Sequence, residues 1–371
     1  MKICIDLTSL AFNFSGIERY AMCISRELVK NKNSEFILLF CNEIHPIYSE
    51  IIKEKNIDIR IVKAKNSKLS KLRLFQISNL FALHSIKADA YVFLAFEPPI
   101  LFHNKNIITT IHDLGYFEFP HMWHWYISLY GRIKIKAAIR HSSKIIAVSN
   151  FTKTRLIEHF KYPNNKIHVV YNAVDKRFIP GDISDERKRE LKIKYNLPNK
   201  DFILCLGTIE PRKNMELLID AYGELKDTNQ IEKTLVIVGR KGWKVEKLLE
   251  RLSKQSRDDI RLTGFVDDQD LPDIYRLASC FVFPSIYEGF GIPPLEAISC
   301  GTQTIVSNIE VLKEVMGQAT LYFKSNDKED LKSVLLSNKK INLNEMLDQS
   351  RKFKWKKSGD EYYVCILSTM R

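Results

Sequence analysis

The sequence from residue 280 to residue 301 reads CFVFPSIYEGFGIPPLEAISCG and predicts a buried strand, a glycine-containing loop and a short helix. Pro293-Pro294 suits the first turn of that helix, and the glycine that closes the stretch suits its end. The loop contains Glu288, Gly289 and Gly291. Its free N–H groups lie at a helix N-terminus, which attracts phosphate and other polar oxygens. The stretch therefore predicts a strand–loop–helix unit of an α/β fold with a ligand-binding loop.

Short apolar runs alternate with amphipathic segments on both sides of this stretch, a pattern typical of parallel strands joined by helices. One series begins at the N-terminus, and a second follows the charge-dense segment 182–200. We therefore predict an α/β protein with two doubly wound Rossmann-like domains, residues 1–175 and 176–352, facing a central cleft. That cleft is the expected ligand site. A C-terminal helix over about 353–371 can pack back on the first domain.

The composition excludes several classes of protein. The 371 residues are 45% apolar, which suits folded domains, and no run approaches the 18 apolar residues of a membrane-spanning helix. Asp6 lies where a signal peptide would need an apolar run. The seven cysteines form no Cys-x-x-Cys pair, so we expect reduced core thiols and no zinc site. These features predict a cytoplasmic protein.

The net charge of +13 is concentrated in the first half of the chain. Residues 1–180 contain 26 Lys and Arg against 14 Asp and Glu, a balance of +12, whereas the remainder contains 31 against 30. Such an excess attracts an anionic partner, namely membrane headgroups, a phosphorylated lipid or nucleic acid. A solvated lysine-rich surface is the alternative.

Gly207, Gly239 and Gly264 each follow an apolar, strand-like run. The carboxyl ends of parallel strands form the edge at which open α/β sheets bind ligands, and a glycine there lets a ligand approach the backbone. Tight strand-to-helix turns are the alternative explanation for these glycines.

The segment 207–214, GTIEPRKN, places Arg212 and Lys213 just before a helix predicted from Met215, with Asn214 as its expected N-cap. Two cations at a helix N-terminus are unfavourable unless an anion lies between them. An arginine that donates two N–H groups and a lysine that supplies a point charge suit a pyrophosphate. A solvated basic turn is the alternative.

Seven residues separate Glu288 in the loop from Glu296 in the predicted helix. The two carboxylates can therefore contact different parts of one elongated ligand. A carboxylate near a nucleotide commonly accepts hydrogen bonds from ribose hydroxyls, and Glu296 suits that role.

Together these motifs resemble glycosyltransferase family 4, whose members are retaining enzymes of the GT-B fold. Glu288 to Glu296 matches the E-x7-E motif of that family within YEGFGxPxLEA. Supporting matches along nearly the whole chain are PRKN at 211–214, TGFV at 263–266, NAVD at 172–175, SGIERY at 15–20 and IHDL at 111–114. Two positions depart from the family pattern. Ala173 replaces the glycine of NGVD, and Glu18 stands where many relatives have glycine, which can shift donor preference or simply point outward.

The resemblance implies a donor site in the second domain. Glu296 would bind the ribose hydroxyls, and Arg212 with Lys213 would bind the diphosphate. Glu288 would hold hydroxyls of the donor sugar together with the loop backbone. The other implied donor-binding residues, of which 264–266 flank the base, are Gly207, Gly239, Gly264, Phe265, Val266, Gly289, Phe290, Gly291 and Ile292.

The resemblance also implies roles in the first domain, where Gly16 would contact a phosphate and His112 would lie near the transferred sugar. The implied catalytic residues are His112, Glu288, Arg212 and Lys213. For Arg212 and Lys213 the reason is that the diphosphate gains negative charge as the sugar leaves. Taken alone, a histidine after a strand is more often a structural cap. Asp113 beside it can equally be a turn cap.

The implied activity is transfer of a hexose from a nucleotide sugar to a lipid-linked or oligosaccharide acceptor in surface-glycan synthesis, of O-antigen or capsule type. The motifs are closest to those of mannosyl-adding bacterial enzymes, so GDP-mannose is the favoured donor and a UDP-sugar is the alternative. The two other classes that we considered fit less well. Segment 8–16 lacks the G-x-G-x-x-G of a nicotinamide-dependent oxidoreductase, and no recognisable nucleic-acid-binding module is present.

Two basic stretches fit an interfacial surface for an anionic lipid-linked acceptor on the cytoplasmic face of the inner membrane. The stretch 121–140 mixes aromatic and basic residues, and the stretch 63–73 has five cations in eleven residues. A buried aromatic helix and a solvated loop are the alternative.

The triplet Asp268-Gln-Asp270 has the D-x-D pattern by which a different glycosyltransferase fold holds a divalent cation. Here it comes just before a helix predicted to begin near Leu271, where aspartates cap free N–H groups. We therefore expect a capping role for both aspartates, no metal site and no cofactor besides the donor substrate.

Overall fold

Buried runs rich in β-branched and aromatic residues form the strands of this protein, and amphipathic segments form most of its helices. The structure is a computed structural model that describes residues 1–11, 16–49, 51–63, 74–255 and 258–370. The chain divides into two compact units, Met1–Ala173 with Lys354–Arg371, and Val174–Phe353.

The strands are β1 Lys2–Asp6, β2 Glu35–Cys41, β3 Ile57–Val62, β4 Ala90–Phe93, β5 Ile107–Ile111, β6 Lys144–Ala147, β7 Ile167–Val169, β8 Phe202–Leu206, β9 Thr234–Val238, β10 Ile260–Gly264, β11 Cys280–Phe283, β12 Thr304–Ser307 and β13 Leu321–Phe323. The helices are α1 Gly16–Leu28, α2 Asn79–Ser85, α3 Gly115–Glu118, α4 Trp125–His141, α5 Asn150–Phe160, α6 Asp185–Tyr195, α7 Met215–Asp227, α8 Glu246–Gln255, α9 Leu271–Leu277, α10 Ile292–Ser299, α11 Glu310–Met316, α12 Lys328–Leu336, α13 Leu343–Arg351 and α14 Trp355–Ser368. Short 3-10 turns include Thr8–Ala11 and Pro211–Lys213.

Within its described residues, the first unit has a seven-stranded sheet in the order β3-β2-β1-β4-β5-β6-β7. Every neighbouring pair of strands in it is parallel. The chain adds strands toward one side of the sheet from β1 to β3 and toward the other side from β4 onward. The loops that follow β1 and β4 therefore flank the switch point at which open α/β sheets bind ligands.

The last helix of the chain, α14, packs on α1 of the first unit. Gly359 makes this close approach possible, because a Cβ atom there would lie only 2.4 Å from the Cβ of Glu27. The Ser358 hydroxyl donates to the carbonyl oxygen of Tyr171 at 2.7 Å. The hydroxyls of Ser34 and Tyr363 lie 2.8 Å apart.

The second unit, over the part that the structure describes, has a six-stranded parallel sheet in the order β10-β9-β8-β11-β12-β13. This is the strand order of a Rossmann fold, and its switch point lies between β8 and β11. The loops after those two strands contain Arg212, Lys213 and Glu288. The predicted α/β fold class, with two doubly wound Rossmann-like sheets, is confirmed.

The seven cysteines are free thiols, and all except the half-buried Cys280 are buried. Burial raises the pKa of both Cys205 and Cys300 to about 12, which keeps these thiols uncharged. This arrangement agrees with the predicted core thiols. Among the helices of the described ranges, none has the length and apolar character needed to cross a membrane.

Candidate active site

The three predicted glycines come together at the carboxyl edge of the second sheet. Gly207 N donates to Val238 O at 3.0 Å, and Gly239 N donates to Gly264 O at 2.8 Å. A Cβ atom on Gly239 would lie 1.8 Å from the carbonyl oxygen of Gly207, so no other residue fits there without backbone movement. The close approach of the three strand ends, rather than a turn alone, requires glycine at this position.

The helix predicted after the glycine-containing loop is α10. Gly291 precedes it with φ +95, a left-handed conformation that favours glycine, and a Cβ atom there would lie 2.5 Å from Leu312 Cδ2. Ile292 is half-buried at the first helical position, and Gly289 and Phe290 are buried in the loop. The Phe290 ring packs edge-on against Phe353, with centroids 5.4 Å apart. This packing holds the loop backbone at the start of the helix.

A buried charge cluster joins this loop to the loop after β8. Glu288 accepts hydrogen bonds from Lys213 Nζ at 2.6 Å and from Arg212 Nη1 at 2.8 Å. Arg212 also donates to Glu210 Oε1 through Nη2 at 2.8 Å and through Nε at 3.1 Å. Each of the two glutamates is only 6% exposed. The cluster therefore balances two carboxylates against two cations.

Glu288 and Glu210 respond differently to burial. Burial alone would raise the pKa of Glu288, but the charges of Arg212 and Lys213 outweigh it and lower this pKa to about 2. The pKa of Glu210 is instead raised, chiefly by burial, because its attraction to Arg212 is weaker than the desolvation cost. Glu288 is consequently ionised at neutral pH, and its negative charge is part of the site.

Glu210 was not among the predicted site residues, although it lies only two residues before Arg212 in the same loop. The sequence did contain an indication of its role. Glu210 is an acidic residue close to two cations, in a loop that follows a strand. Its two hydrogen bonds orient the guanidinium, whose Nη1 also donates to the carbonyl oxygen of Tyr287 at 3.0 Å.

Glu296 lies on α10 and is 3% exposed. Tyr275, a fully buried residue of α9, donates its hydroxyl to Glu296 Oε2 at 3.1 Å. Tyr275 was not among the predicted site residues either. The residues around it give no indication that it contacts a residue 21 positions later. The hydrogen bond orients the carboxylate of Glu296.

The turn after β10 presents an aromatic ring at the same edge of the sheet. Phe265 is 51% exposed, and the Arg240 guanidinium lies over its ring at 4.3 Å from the centroid. Gly264 has φ +73, and Val266 is buried. Arg240 directly follows Gly239 and was not among the predicted site residues. An exposed ring with a stacked guanidinium is a flat surface on which a planar base can stack.

His112 directly follows β5 in the first unit. Its Nε2 lies 2.8 Å from the carbonyl oxygen of Leu94. Since a carbonyl oxygen only accepts, the neutral ring carries its proton on Nε2 and has its lone pair on Nδ1. Burial lowers the pKa of His112, and the ring of Tyr20 meets it edge-on at 4.9 Å. His112 is therefore a neutral group held in one orientation.

Asp113 has the turn-capping role that the sequence left open, because its Oδ1 accepts from Gly115 N at 2.8 Å. Gly16 is exposed at the start of α1, where a Cβ atom would meet no atom within 4 Å. Ser15, which precedes it in the SGIERY match, lies outside the described residues. Glu18 is 3% exposed, so of the two alternatives left open for it, a side chain that points outward is excluded.

The capping role predicted for Asp270 is wrong. Helix α9 begins at Leu271, but the Asp270 side chain makes no capping hydrogen bond. Its carboxylate instead accepts from three residues of α6 and is 2% exposed. These donors are Arg187 Nη2 at 2.6 Å, Tyr195 Oη at 2.6 Å and Lys194 Nζ at 2.7 Å. Asp268 forms an ion pair with Arg177.

Asn214 also does not cap α7 through its side chain, although the helix begins at Met215 as predicted. Its backbone has φ +50, and its Nδ2 donates to Asn326 Oδ1 at 2.9 Å. The partner comes from a distant segment, which local sequence does not indicate.

Two family models match the sequence. The model described as Glycosyltransferase Family 4 matches residues 14–178, and the model described as Glycosyl transferases group 1 matches residues 187–352. Together they extend over most of the chain.

The chain is 28% identical to the O-antigen chain mannosyltransferase B of Escherichia coli, with 96% of each chain covered. It is 30% identical to the serotype-specific mannosyltransferase WbdA of Escherichia coli, over 86% of this chain and 41% of that protein. The structure is similar to the crystal structure of HepE from Anabaena in complex with UDP and glucose, with a TM-score of 0.72 and 15% sequence identity over 99% of this chain and 100% of that chain. At this identity the structural likeness concerns the fold.

Proposed function

Because this chain belongs to glycosyltransferase family 4 and has the GT-B fold, we propose that it transfers a mannosyl residue from GDP-mannose to a lipid-linked or oligosaccharide acceptor of a surface glycan, with retention of anomeric configuration. The observation that carries this proposal is the buried cluster of Arg212, Lys213 and Glu288 at the switch point of the second sheet. It combines cations for a diphosphate with an ionised carboxylate for sugar hydroxyls.

Breaking the bond between the sugar and the diphosphate leaves an oxocarbenium-like sugar and a leaving group that gains negative charge. Arg212 and Lys213 stabilise that charge if the diphosphate binds between them, so their effect is larger in the transition state than in the ground state. Glu288 accepts hydrogen bonds from hydroxyls of the sugar. As the diphosphate enters, it competes with Glu288 for the same two cations.

Glu296 accepts hydrogen bonds from the ribose hydroxyls in this proposal, and the turn 264–266 flanks the base. The exposed ring of Phe265 supports the second assignment. In the first unit, Nδ1 of His112 can accept a hydrogen bond from a sugar hydroxyl, and the open space at Gly16 can admit a phosphate at the start of α1.

The choice of mannose rests on the two Escherichia coli relatives, both of which are named mannosyltransferases. The test is a panel of GDP-mannose, GDP-fucose, UDP-glucose and UDP-galactose, with release of the nucleoside diphosphate and transfer to a sugar acceptor measured together. We expect GDP-mannose to give the highest kcat/KM. A preference for a UDP-sugar would replace the donor assignment but leave the reaction class intact.

Glu296→Ala is expected to weaken binding of both GDP and UDP by about 1–3 kcal/mol, because the ribose hydroxyls lose a charged acceptor. Calorimetric titration of the two nucleotides measures this change. Tyr275→Phe removes only the hydrogen bond that orients Glu296 and should cause a smaller loss. Glu232→Ala, an exposed glutamate of the same unit, is the matched control. Unchanged affinity of Glu296→Ala for both nucleotides would contradict the assignment.

Sugar transfer is expected to persist in excess EDTA, because Arg212 and Lys213 supply positive charge where a metal would otherwise be needed. Asp270 is already engaged by Arg187, Lys194 and Tyr195. The measurement compares initial rates with EDTA, with added Mg²⁺ and with added Mn²⁺. Loss of transfer on chelation, reversed by either cation in protein that stays folded, would show that the metal-free assignment is wrong.

The basic first unit also presents a surface that suits a membrane. The outer face of α4 exposes Trp125, Leu129 and Ile133 toward its N-terminal end, and Lys136 and Arg140 toward its C-terminal end. Most of the other predicted basic stretch, 63–73, lies outside the described residues. Apolar and basic side chains on one helix face fit insertion at the surface of an anionic membrane. We propose this face as the membrane-binding surface.

The protein is expected to float with liposomes that contain phosphatidylglycerol and to remain unbound with pure phosphatidylcholine, most clearly at low salt, because exposed charges are screened by ions. Trp125→Ala should reduce the bound fraction. Ile193→Ser is the control, since Ile193 is an exposed apolar residue of α6 in the second unit. Equal flotation with both liposomes at low salt would count against the surface.

A further inference from the structure

A second group of polar side chains lies at the carboxyl edge of the first sheet. Asp6 is the last residue of β1, Glu97 follows β4, and His112 follows β5. These strands are neighbours in the order β1-β4-β5, and the switch point lies between β1 and β4. Asp6 and Glu97 therefore flank the position at which such a sheet binds ligands. Neither residue belongs to the motifs considered above.

The cation of this group comes from α4. Lys134 is directed away from the exposed face of that helix, and its Nζ lies 2.7 Å from Glu97 Oε2. The side chains of both residues remain partly accessible, 11% exposed for Lys134 and 17% for Glu97. Burial alone would raise the pKa of Glu97, but the adjacent lysine charge lowers it, so Glu97 is ionised at neutral pH.

The neighbouring groups add no positive charge to this pair. Asp6 accepts from Thr8 N at 2.9 Å, from Thr8 Oγ1 at 2.6 Å and from Asn79 Nδ2 at 2.9 Å, and burial raises its pKa. His112 is neutral and has a lone pair on Nδ1. Glu97 pairs with Lys134, and the carboxyl groups of Glu18 and Asp113 also act on His112, so the described residues of this edge carry no excess of positive charge.

Such a pair suits hydroxyl groups better than phosphate. Vicinal hydroxyls both donate and accept, so one can donate to the carboxylate while its neighbour accepts from the ammonium. A phosphate would need to displace Glu97 from Lys134. Two aromatic rings complete the surroundings, since Nζ of Lys134 lies 5.5 Å from the ring centroid of Phe96 and 5.7 Å from that of Tyr130. Both rings are partly exposed and offer an apolar face to a pyranose ring.

We propose that Glu97 and Lys134 bind the hydroxyl groups of the acceptor's terminal sugar, so that the acceptor ends in a neutral sugar and not in a phosphate. The inference rests on the proposed function, which supplies an acceptor, but it concerns residues to which no role has been assigned. Glu97 is the specificity-determining member, because it neutralises the lysine that would otherwise favour an anion.

Saturation-transfer difference NMR tests this proposal without requiring catalysis. The probes are methyl α-D-mannopyranoside and phenyl phosphate, each added to the full-length protein. We expect a clear mannoside signal from the wild type, reduced at least fivefold in Glu97→Gln. We also expect the phenyl phosphate signal to increase in Glu97→Gln, because Lys134 is then unpaired. A purely structural ion pair would leave the mannoside signal unchanged.

Lys134→Gln is the second variant. We expect it to lose the mannoside signal without gaining the phosphate signal. If Glu97→Gln does not fold, this variant tests the proposal instead. Glu54→Gln is the matched control, since Lys32 and Glu54 form an ion pair of 2.6 Å at the opposite edge of the same sheet. Unchanged GDP binding shows that the second unit is intact in each variant. Equal mannoside signals in wild type and both variants, or a wild type that binds phenyl phosphate more strongly than the mannoside when GDP saturates the donor site, would overturn the proposal.

Transfer kinetics separate this proposal from the proposed function. If the wild type releases no nucleotide from any sugar donor, the donor assignment fails while the NMR result still decides the role of Glu97. If transfer occurs, Glu97→Gln should raise the KM for octyl α-D-mannopyranoside at least tenfold and leave the KM for the donor unchanged. A change in the donor KM alone would contradict an acceptor role.

Discussion

Lys213→Ala is expected to lower the turnover of sugar transfer by about 10²- to 10³-fold, the range found when one preorganised charge-stabilising group is removed from an active site. The reason is that Lys213 Nζ, 2.6 Å from Glu288, is placed where the leaving diphosphate gains charge. Binding of the nucleoside portion should change much less, because the ribose and the base are held by other residues. Single-turnover rates and GMP titration measure the two effects separately.

Lys213 is a better choice than Arg212 for this test because Glu288 keeps its hydrogen bond to Arg212 at 2.8 Å when Lys213 is removed. The buried carboxylate then retains one cationic partner, and the loop remains in place. Lys200→Ala, an exposed lysine of the second unit, is the control. Wild-type turnover in Lys213→Ala would mean that the diphosphate is held elsewhere.

Asp270→Ala is expected to reduce the free energy of unfolding by about 3 kcal/mol, well beyond the roughly 1 kcal/mol of a lost helix cap. The buried carboxylate accepts from Arg187, Lys194 and Tyr195, and hydrogen bonds to charged groups each contribute about 1.5–3 kcal/mol. Urea unfolding measures the difference. Asp185→Ala is the control, since Asp185 is an exposed residue of α6 paired with Lys188 at 3.1 Å. A loss near that of the control would show that the network contributes little.

The contribution of Asp270 to the free energy of unfolding should also depend on pH. Burial alone would raise its pKa, but the hydrogen bonds from Lys194, Tyr195 and Arg187 lower it to about 2. Because the folded pKa lies below the unfolded value of 3.8, the carboxylate stabilises the protein above pH 3.8 and loses this effect as the pH falls toward 2. The difference between wild type and Asp270→Ala should therefore shrink over that interval.

Some errors of the sequence interpretation share one physical cause. Asp270 and Asn214 were both expected to cap the helix that follows them, which is a local role. Their side chains instead bind Lys194 and Asn326, residues far away in the sequence. A polar side chain at a helix start can form hydrogen bonds with the adjacent backbone or with residues that are distant in the sequence. Local propensity does not decide between the two.

Other missed residues were within reach of sequence reasoning. Arg240, like the predicted Phe265, directly follows a glycine at the end of a strand, and β9 and β10 are neighbours, so the two side chains meet. Glu210 lies in the same loop as the two predicted cations. Arg240 and Glu210 could both have been found by treating every residue of a loop that follows a strand as a candidate for the same sheet edge.

The strands, the loop glycines and the helix that begins at Ile292 follow from local patterns, because apolar periodicity and the backbone freedom of glycine act over a few residues. Which charges meet is decided by tertiary structure. The sequence around Lys134 fits a solvated lysine equally well. Only the packing of α4 against the first sheet brings Lys134 to Glu97. In the second unit, folding places Glu210 and Glu288 around Arg212. Burial then raises the pKa of Glu210, whereas the charges of Arg212 and Lys213 lower that of Glu288. Desolvation and charge pairing depend on neighbours in space, which is why the chemistry of both sheet edges emerges only in the folded chain.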